Sequence, residues 1–219
     1  MLKKDWFINS CGVLAYLFAM LLSAQVHADY SAHPDAADFV DKVVEKHELD
    51  RDWVTALLAE AERKESILKA ISRPAEKALA WHQYRDIFLT GSRLQGGLAF
   101  WEKHQATLQR AEQVFGVPAQ IIVAIIGVET RYGGNMGSYR VLDALATLGF
   151  DYPKRSPFFL GQLEQFLLLV REQAFEPLSL KGSYAGAMGY GQFIPSSYRH
   201  YAIDFDDDGV VDILSNPVD

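Results

Sequence analysis

A chain of 219 residues, 49% hydrophobic and 22% charged, is long enough to bury a sizeable core and too evenly composed to be disordered or to cross a membrane many times. Its 21 Lys plus Arg stand against 28 Asp plus Glu, a formal charge of −7, and no basic cluster interrupts the acidic balance, which excludes a nucleic-acid partner. The one cysteine, Cys11, rules out a disulfide framework, so packing must hold the fold.

Residues 1–28 have the pattern of an export signal. Lys3 and Lys4 give the positive start, residues 11–22 the apolar run, and Val26-His27-Ala28 a small-residue cleavage site. A single membrane anchor is the alternative reading, although the apolar run is short for a span. Cys11 stands at the start of the run instead of following it, which is the wrong place for a lipoprotein cysteine. The expectation is a periplasmic protein, exported by a cleavable signal peptide and not lipid-anchored.

An N-terminal helical region follows over 29–115. Apolar residues recur at helical spacing over 38–72, as in Phe39, Val43 and Val44 and then Trp53, Leu57 and Leu58, which predicts two amphipathic helices, the second capped by Asp50. Pro74 is expected to open another helix, and helical patterns over 74–90 and 97–115 are broken by Gly91, Gly96 and Gly97. Gly116-Val117-Pro118 marks the boundary to a second region, 116–219. The helix expected from Pro118 to about Tyr132 is apolar on every face over 121–128, a pattern that belongs at the centre of a core, and it ends at Gly133-Gly134. Further helices are predicted over 139–148 and 158–174. Strand patterns are scarce, so the fold class is mainly α.

Glu129 follows Ile122, Ile125 and Ile126 at spacings of seven, four and three, on the same side of the helix, which points it inward or into a cleft. Held against hydrocarbon, a carboxylate loses hydration and keeps its proton near neutral pH, as a general acid must. A structural glutamate paired with Arg131 or Arg140 fits the same periodicity. The stretch from Gly182 to Pro195 is rich in glycine, and Tyr184, Tyr190 and Phe193 offer flat faces to sugar rings while Gln192 offers both a donor and an acceptor. A tight packing turn is the alternative.

Three segments together resemble the lytic transglycosylase B family, glycoside hydrolase family 103: Glu129-Thr130-Arg131-Tyr132-Gly133, the stretch YAGAMGYGQFIPSSY from Tyr184 to Tyr198, and the acidic loop from Asp204. The resemblance runs from about residue 38 to the end. It implies an α+β lysozyme-like core and non-hydrolytic cleavage of the MurNAc-β-1,4-GlcNAc bond of peptidoglycan. Glu129 would serve as acid and then base, and a 1,6-anhydromuramoyl end would be left. It also implies that Tyr84, Arg155, Ser183, Gln192 and Phe193 contact glycan or peptide. Peptidoglycan strands are the expected partner, with cell-wall synthesis proteins as further candidates, and a monomer is expected. A water-using muramidase and a non-catalytic glycan- or calcium-binding fragment are the alternatives.

Asp204, Asp206, Asp208, Gly209, Val210 and Asp212 match positions 1, 3, 5, 6, 7 and 9 of an EF-hand loop, where alternating oxygens ring a calcium ion. Ser215 replaces the usual closing glutamate. The resemblance points to a lengthened loop closed by Asp219 and to a structural calcium ion, with no organic cofactor. An ion-free acidic turn is the alternative. The resemblance also implies further helices after Asp219, so the expectation is a truncated chain whose 121–128 helix lies partly open to water, unstable or inactive alone.

Overall fold

A computed structural model describes residues 29–73 and 79–219. The export signal over 1–28 and the helix opening at Pro74 lie outside the described residues. The rest is mainly helical, as expected. After a 3-10 turn at Tyr30–Ala32 come α1 (Ala36–His47), α2 (Arg51–Glu60), α3 (Glu65–Ser72), α4 (Trp81–Arg85), α5 (Gly91–Lys103), α6 (Gln105–Phe115) and α7 (Ala119–Thr130). Then follow β1 (Tyr139–Arg140), α8 (Val141–Asp151), α9 (Ser156–Glu172), β2 (Lys181–Gly182) and α10 (Pro195–Tyr201). The two short strands pair antiparallel, Tyr139 with Gly182 and Arg140 with Lys181, and bring the start of the glycine-rich loop against the start of α8.

The amphipathic stretch 38–72 forms three helices, not two. Asp50 caps α2 as expected, its carboxylate accepting from the Trp53 N–H at 2.7 Å. The third helix arises because the chain breaks at residues 61–64, where two polar side chains of α8 take over the backbone N–H groups. Asp143 accepts from the Glu62 N–H at 2.9 Å and Thr147 from the Lys64 N–H at 3.0 Å. A break does fall at Gly91, which opens α5, but Gly96 and Gly97 do not interrupt the pattern and lie inside that helix. A Cβ on Gly97 would stand 2.7 Å from the Tyr132 hydroxyl, and one on Gly96 3.0 Å from the Tyr132 ring, so the absence of side chains lets α5 close on that aromatic.

Packing divides the side chains into two clusters. The larger joins the faces of α1, α2 and α3 to α8 and α9, with Met188, Tyr198 and Ile213 added from the C-terminal segment. Every residue of α8 from Val141 to Phe150 is buried. Electrostatic ties support this cluster. On α9, Glu164, with a side chain only 4% exposed, takes Lys46 at 2.8 Å, His47 at 2.8 Å and Lys42 at 3.1 Å, all from α1. Burial opposes ionisation of that carboxyl, but the three hydrogen bonds outweigh it and hold the group down to about 2. At the start of α8, Asp143 is gripped by Arg140 through bonds of 2.9 and 2.7 Å.

The smaller cluster consists of Phe100, Leu108, Ala119 and Val123, with Trp101, Ile122, Ile126, Tyr132 and Tyr190 packed against it. It unites α5, α6 and α7 across the bend at Gly116, where the last two helices meet at 114°. Among the described residues no single helix is long and apolar enough to cross a membrane. A cavity of about 230 Å³ separates the two clusters; Phe100, Leu108, Ile126, Phe193, Phe205 and Ile213 help to line it.

The all-round apolar pattern of α7 does not put it at the centre of a core. Only Ala119, Val123, Gly127 and Thr130 are buried, whereas Ile121, Ile125 and Val128 are 48%, 53% and 48% exposed. Neighbours cover one side of this helix among the described residues. The partial exposure expected for the 121–128 segment is therefore observed.

Candidate functional site

Glu129 occupies the last turn of α7. It is exposed, and it lies on the open stripe with Ile121, Ile125 and Val128 instead of being sunk in hydrocarbon, which corrects the expectation of an inward-facing acid. The cause is the one-sided packing of α7: of the apolar residues spaced to share its side, Ile122 and Ile126 pack against the smaller cluster while Ile125 is left uncovered. The structural alternative does not hold either. Arg140 is committed to Asp143 and Glu62, and Glu129 has no ion pair among the described residues.

The turn after Glu129 is tightly determined. Arg131 and Tyr132 both adopt left-handed φ angles, 52° and 61°, before Gly133 at 84°, so the reversal begins two residues earlier than the glycines suggest. Thr130 is buried and ties the turn together: its hydroxyl lies 3.1 Å from the Ile126 carbonyl and 3.1 Å from the Tyr190 carbonyl, and it accepts from the Gly133 N–H at 3.0 Å. The second of those contacts reaches into the glycine-rich loop. Two more join the same pair of segments: the Gln192 side-chain amide donates to the Met136 carbonyl at 3.2 Å, and Gly137 leaves no room for a Cβ against the Gly182 backbone, 2.1 Å away. The turn that follows Glu129 and the glycine-rich loop, far apart in the chain, are thus sewn together.

Within that loop Ser183 works on its own backbone, its hydroxyl accepting from the Ala185 and Ala187 N–H groups at 3.3 and 3.1 Å. Gln192 is left-handed at φ 52° and also donates to the Gly189 carbonyl at 3.1 Å. Phe193 exchanges both backbone bonds with Met188 at 2.9 Å and turns its ring to the cavity between the clusters. Tyr184 is exposed.

The two remaining sugar-contact candidates lie elsewhere. Tyr84, in α4, is exposed and stands 5.3 Å from the Phe88 ring, which in turn lies 5.1 Å beneath the Arg93 guanidinium. Through that stack Tyr84 reaches the end of α7, because Arg93 donates to the Gly127 carbonyl. Arg155 precedes α9 and is stacked 4.2 Å over the Phe158 ring; among the described residues it has no hydrogen bond or ion pair with the Glu129 turn or the glycine-rich loop. Sequence reasoning did not single out Arg93, Thr130 or Tyr132 by role. Tyr132 and Thr130 sit inside the recognised motif, but Arg93 lies on another helix, and nothing in its neighbourhood marks it.

In the acidic loop, oxygens of Asp204, Asp206 and Asp219 all lie within 4.8 Å of one another. Calcium takes oxygen ligands at about 2.3–2.6 Å, so ligands across the ion from each other are about 5 Å apart, and this carboxylate set fits it. Asp219 closes the loop by accepting from the Phe205 N–H at 2.9 Å and the Asp212 N–H at 2.8 Å. The other candidates are turned to local backbone. Asp208 accepts from the Val210 N–H at 2.8 Å, and Asp212 from the Leu214 and Ser215 N–H groups at 2.9 and 3.0 Å. The loop is anchored to α10 by Tyr198, whose hydroxyl donates to the Val211 carbonyl at 2.8 Å and accepts from the Ile213 N–H at 3.2 Å.

The chain belongs to the Transglycosylase SLT domain family, which it matches over residues 31–219. It is 48% identical over 204 residues to the membrane-bound lytic murein transglycosylase B of Escherichia coli (strain K12), covering 89% of this chain and 56% of that protein. It therefore spans little more than half the length of that relative. Its structure is similar to that of the catenated lytic transglycosylase SltB1 from Pseudomonas aeruginosa, with a TM-score of 0.86 and 54% identity over 87% of this chain and 63% of the other. It is also similar to the Escherichia coli lytic transglycosylase Slt35 in complex with calcium, with a TM-score of 0.81 and 50% identity over 87% of this chain and 61% of that one.

Proposed function

We propose that this chain carries the acid-bearing part of a lytic transglycosylase that cleaves the MurNAc-β-1,4-GlcNAc bond of peptidoglycan, with Glu129 as its single acid and base. The Glu129 carboxyl gives its proton to the bridging O4 as the C1–O4 bond breaks. The muramoyl C6 hydroxyl then attacks C1 and returns its proton to the carboxylate, so a C1–O6 bond replaces the one lost and no water is consumed. One carboxylate suffices where an ordinary glycosidase uses two. Tyr84, Arg155, Ser183, Gln192 and Phe193 are the glycan- and peptide-contact residues in this reading. The protein acts in the periplasm, reached through a cleavable signal peptide.

The observation that carries the reading is the Thr130 bridge, which holds the turn after Glu129 against Tyr190 of the glycine-rich loop. Family membership supports it. The experiment is mass spectrometry of digested peptidoglycan beside Glu129→Gln: anhydro ends from the parent chain and none from the variant are expected, while reducing ends would mean a water-using muramidase. The exposure of Glu129 and of the stripe beside it favours one second reading, a chain that binds glycan without cleaving it, in which case no new ends form.

Asp204, Asp206 and Asp219 are proposed to hold a calcium ion, with Asp208, the Val210 carbonyl and Asp212 as the other candidate ligands. The ion would neutralise the converging carboxylates and stiffen the loop; the Slt35–calcium complex and the 4.8 Å clustering support this. Calcium at about 100 times its dissociation constant stabilises the fold by about 2.7 kcal/mol, visible as a raised Tm that Asp219→Asn abolishes.

A further inference from the structure

Arg93 and Tyr132 form a closed clasp around the turn that carries Glu129. The Arg93 guanidinium donates to the Gly127 carbonyl, two residues before Glu129, and the Tyr132 hydroxyl, three residues after it, donates to the Arg93 carbonyl at 3.0 Å. The fit is close on both sides. A Cβ on Gly127 would meet the Tyr132 hydroxyl at 2.5 Å, and one on Gly97 would meet it at 2.7 Å. Arg93 is itself fixed, with its N–H on the Thr90 hydroxyl at 3.3 Å and its guanidinium over Phe88 at 5.1 Å. The cation also stands at the C-terminal, partially negative end of α7, where a positive charge is favourable. The Nε of Arg93 is buried with no hydrogen-bond partner.

The clasp borders a cavity of about 430 Å³ lined in part by Phe88, Leu89, Leu94 and Val128. From this geometry we infer that Arg93 is a positioning residue. By gripping Gly127 and Tyr132 it sets the rotation of the last turn of α7, and hence the direction in which the Glu129 carboxyl is presented. Thr130 performs the matching task from the glycine-loop side. The acid is therefore aimed by two ties from opposite directions, one from α5 and one from the loop. This inference rests on the reading of Glu129 as the acid.

The test compares the parent chain with Arg93→Met, Arg93→Lys, Tyr132→Phe and Glu129→Gln. In the parent chain and the first three variants the carboxyl-carbon resonance of Glu129 and the amide resonances of Arg131 and Tyr132 are followed by NMR, and turnover on peptidoglycan is measured alongside. Arg93→Met is expected to move those resonances and to lower kcat about 10- to 100-fold with KM within about threefold, since a misaimed group loses rate before it loses binding. Arg93→Lys regains part of both effects. Tyr132→Phe, which removes only the far end of the clasp, moves the same resonances in the same direction and keeps the inference testable if Arg93→Met does not fold.

Unchanged Glu129 and Arg131 resonances in folded Arg93→Met or Tyr132→Phe overturn the inference, whether or not the chain turns over substrate. A raised KM with unchanged kcat overturns it too, since it would put Arg93 on the substrate. Full activity in Glu129→Gln instead defeats the proposed function, and the resonances still decide whether the clasp aims that side chain.

Discussion

Helices α7 and α8 invert what their sequences suggest. The first is the more apolar, with an unbroken run of aliphatic residues over 121–128, yet one side of it faces water. The second contains Asp143 and Thr147 and is buried from Val141 to Phe150. The difference lies in the neighbours. Helix α8 is wrapped by α3, α9 and β1, and its two polar side chains are used up by backbone N–H groups of the α2–α3 link and, for Asp143, by Arg140 and Lys64. Among the described residues helix α7 packs against α5 and α6 in its smaller cluster and is tied to the glycine-rich loop. Hydrophobicity states what a segment gains from burial; the arrangement of other elements decides whether burial is available.

That contrast can be broken by substitution. Leu145→Ala on α8 removes a fully buried side chain that also packs under Gly186 of the glycine-rich loop, and should lower the unfolding free energy by about 2–5 kcal/mol in a denaturant titration. A loss below about 1 kcal/mol would mean that α8 is not the centre of the fold.

The tie between α1 and α9 should show itself through pH. The Glu164 carboxyl is held down from 4.5 to about 2, so its contribution is complete above about pH 5 and is lost as pH falls through the folded value near 2. Relative to Glu164→Gln, the parent chain is expected to be more stable by about 2–3 kcal/mol at neutral pH, with the gap closing between about pH 4.5 and 2. A gap independent of pH would disprove the ion cluster.

In the smaller cluster, Gly127→Ala forces a methyl group against the Tyr132 hydroxyl and should cost about 1–3 kcal/mol, measurable by thermal melting. The smallest effect is expected at Ile125→Ala, on the open stripe, where the change should stay within about 0.5 kcal/mol. A loss of 2 kcal/mol or more there would show that the stripe is covered in solution and would restore the hydrophobic setting first expected for Glu129.

Some of this was legible without coordinates. The helices announce themselves by period, the Asp50 cap by residue type, and the acidic loop by the alternation of Asp204, Asp206 and Asp208. The motif from Glu129 to Gly133 and the glycine-rich loop identified the family before any contact was known. Other features were misread for definite reasons. Gly96 and Gly97 looked like breaks because a glycine's local preference is visible in the chain, whereas the Tyr132 ring that needs their space comes from a distant turn. Arg93 could not be singled out at all, since its role depends on a carbonyl on a neighbouring helix.

Residue types and their spacing, on their own, settled the helical class, the family and the candidate acid, because those depend on short-range periodicity and on side-chain chemistry carried in contiguous motifs. Which apolar helix is sheathed, which way Glu129 faces, and which residues aim it were decided only by tertiary structure. Each depends on groups distant in the chain arriving at a common place, and burial and hydrogen bonding exist only once they have arrived.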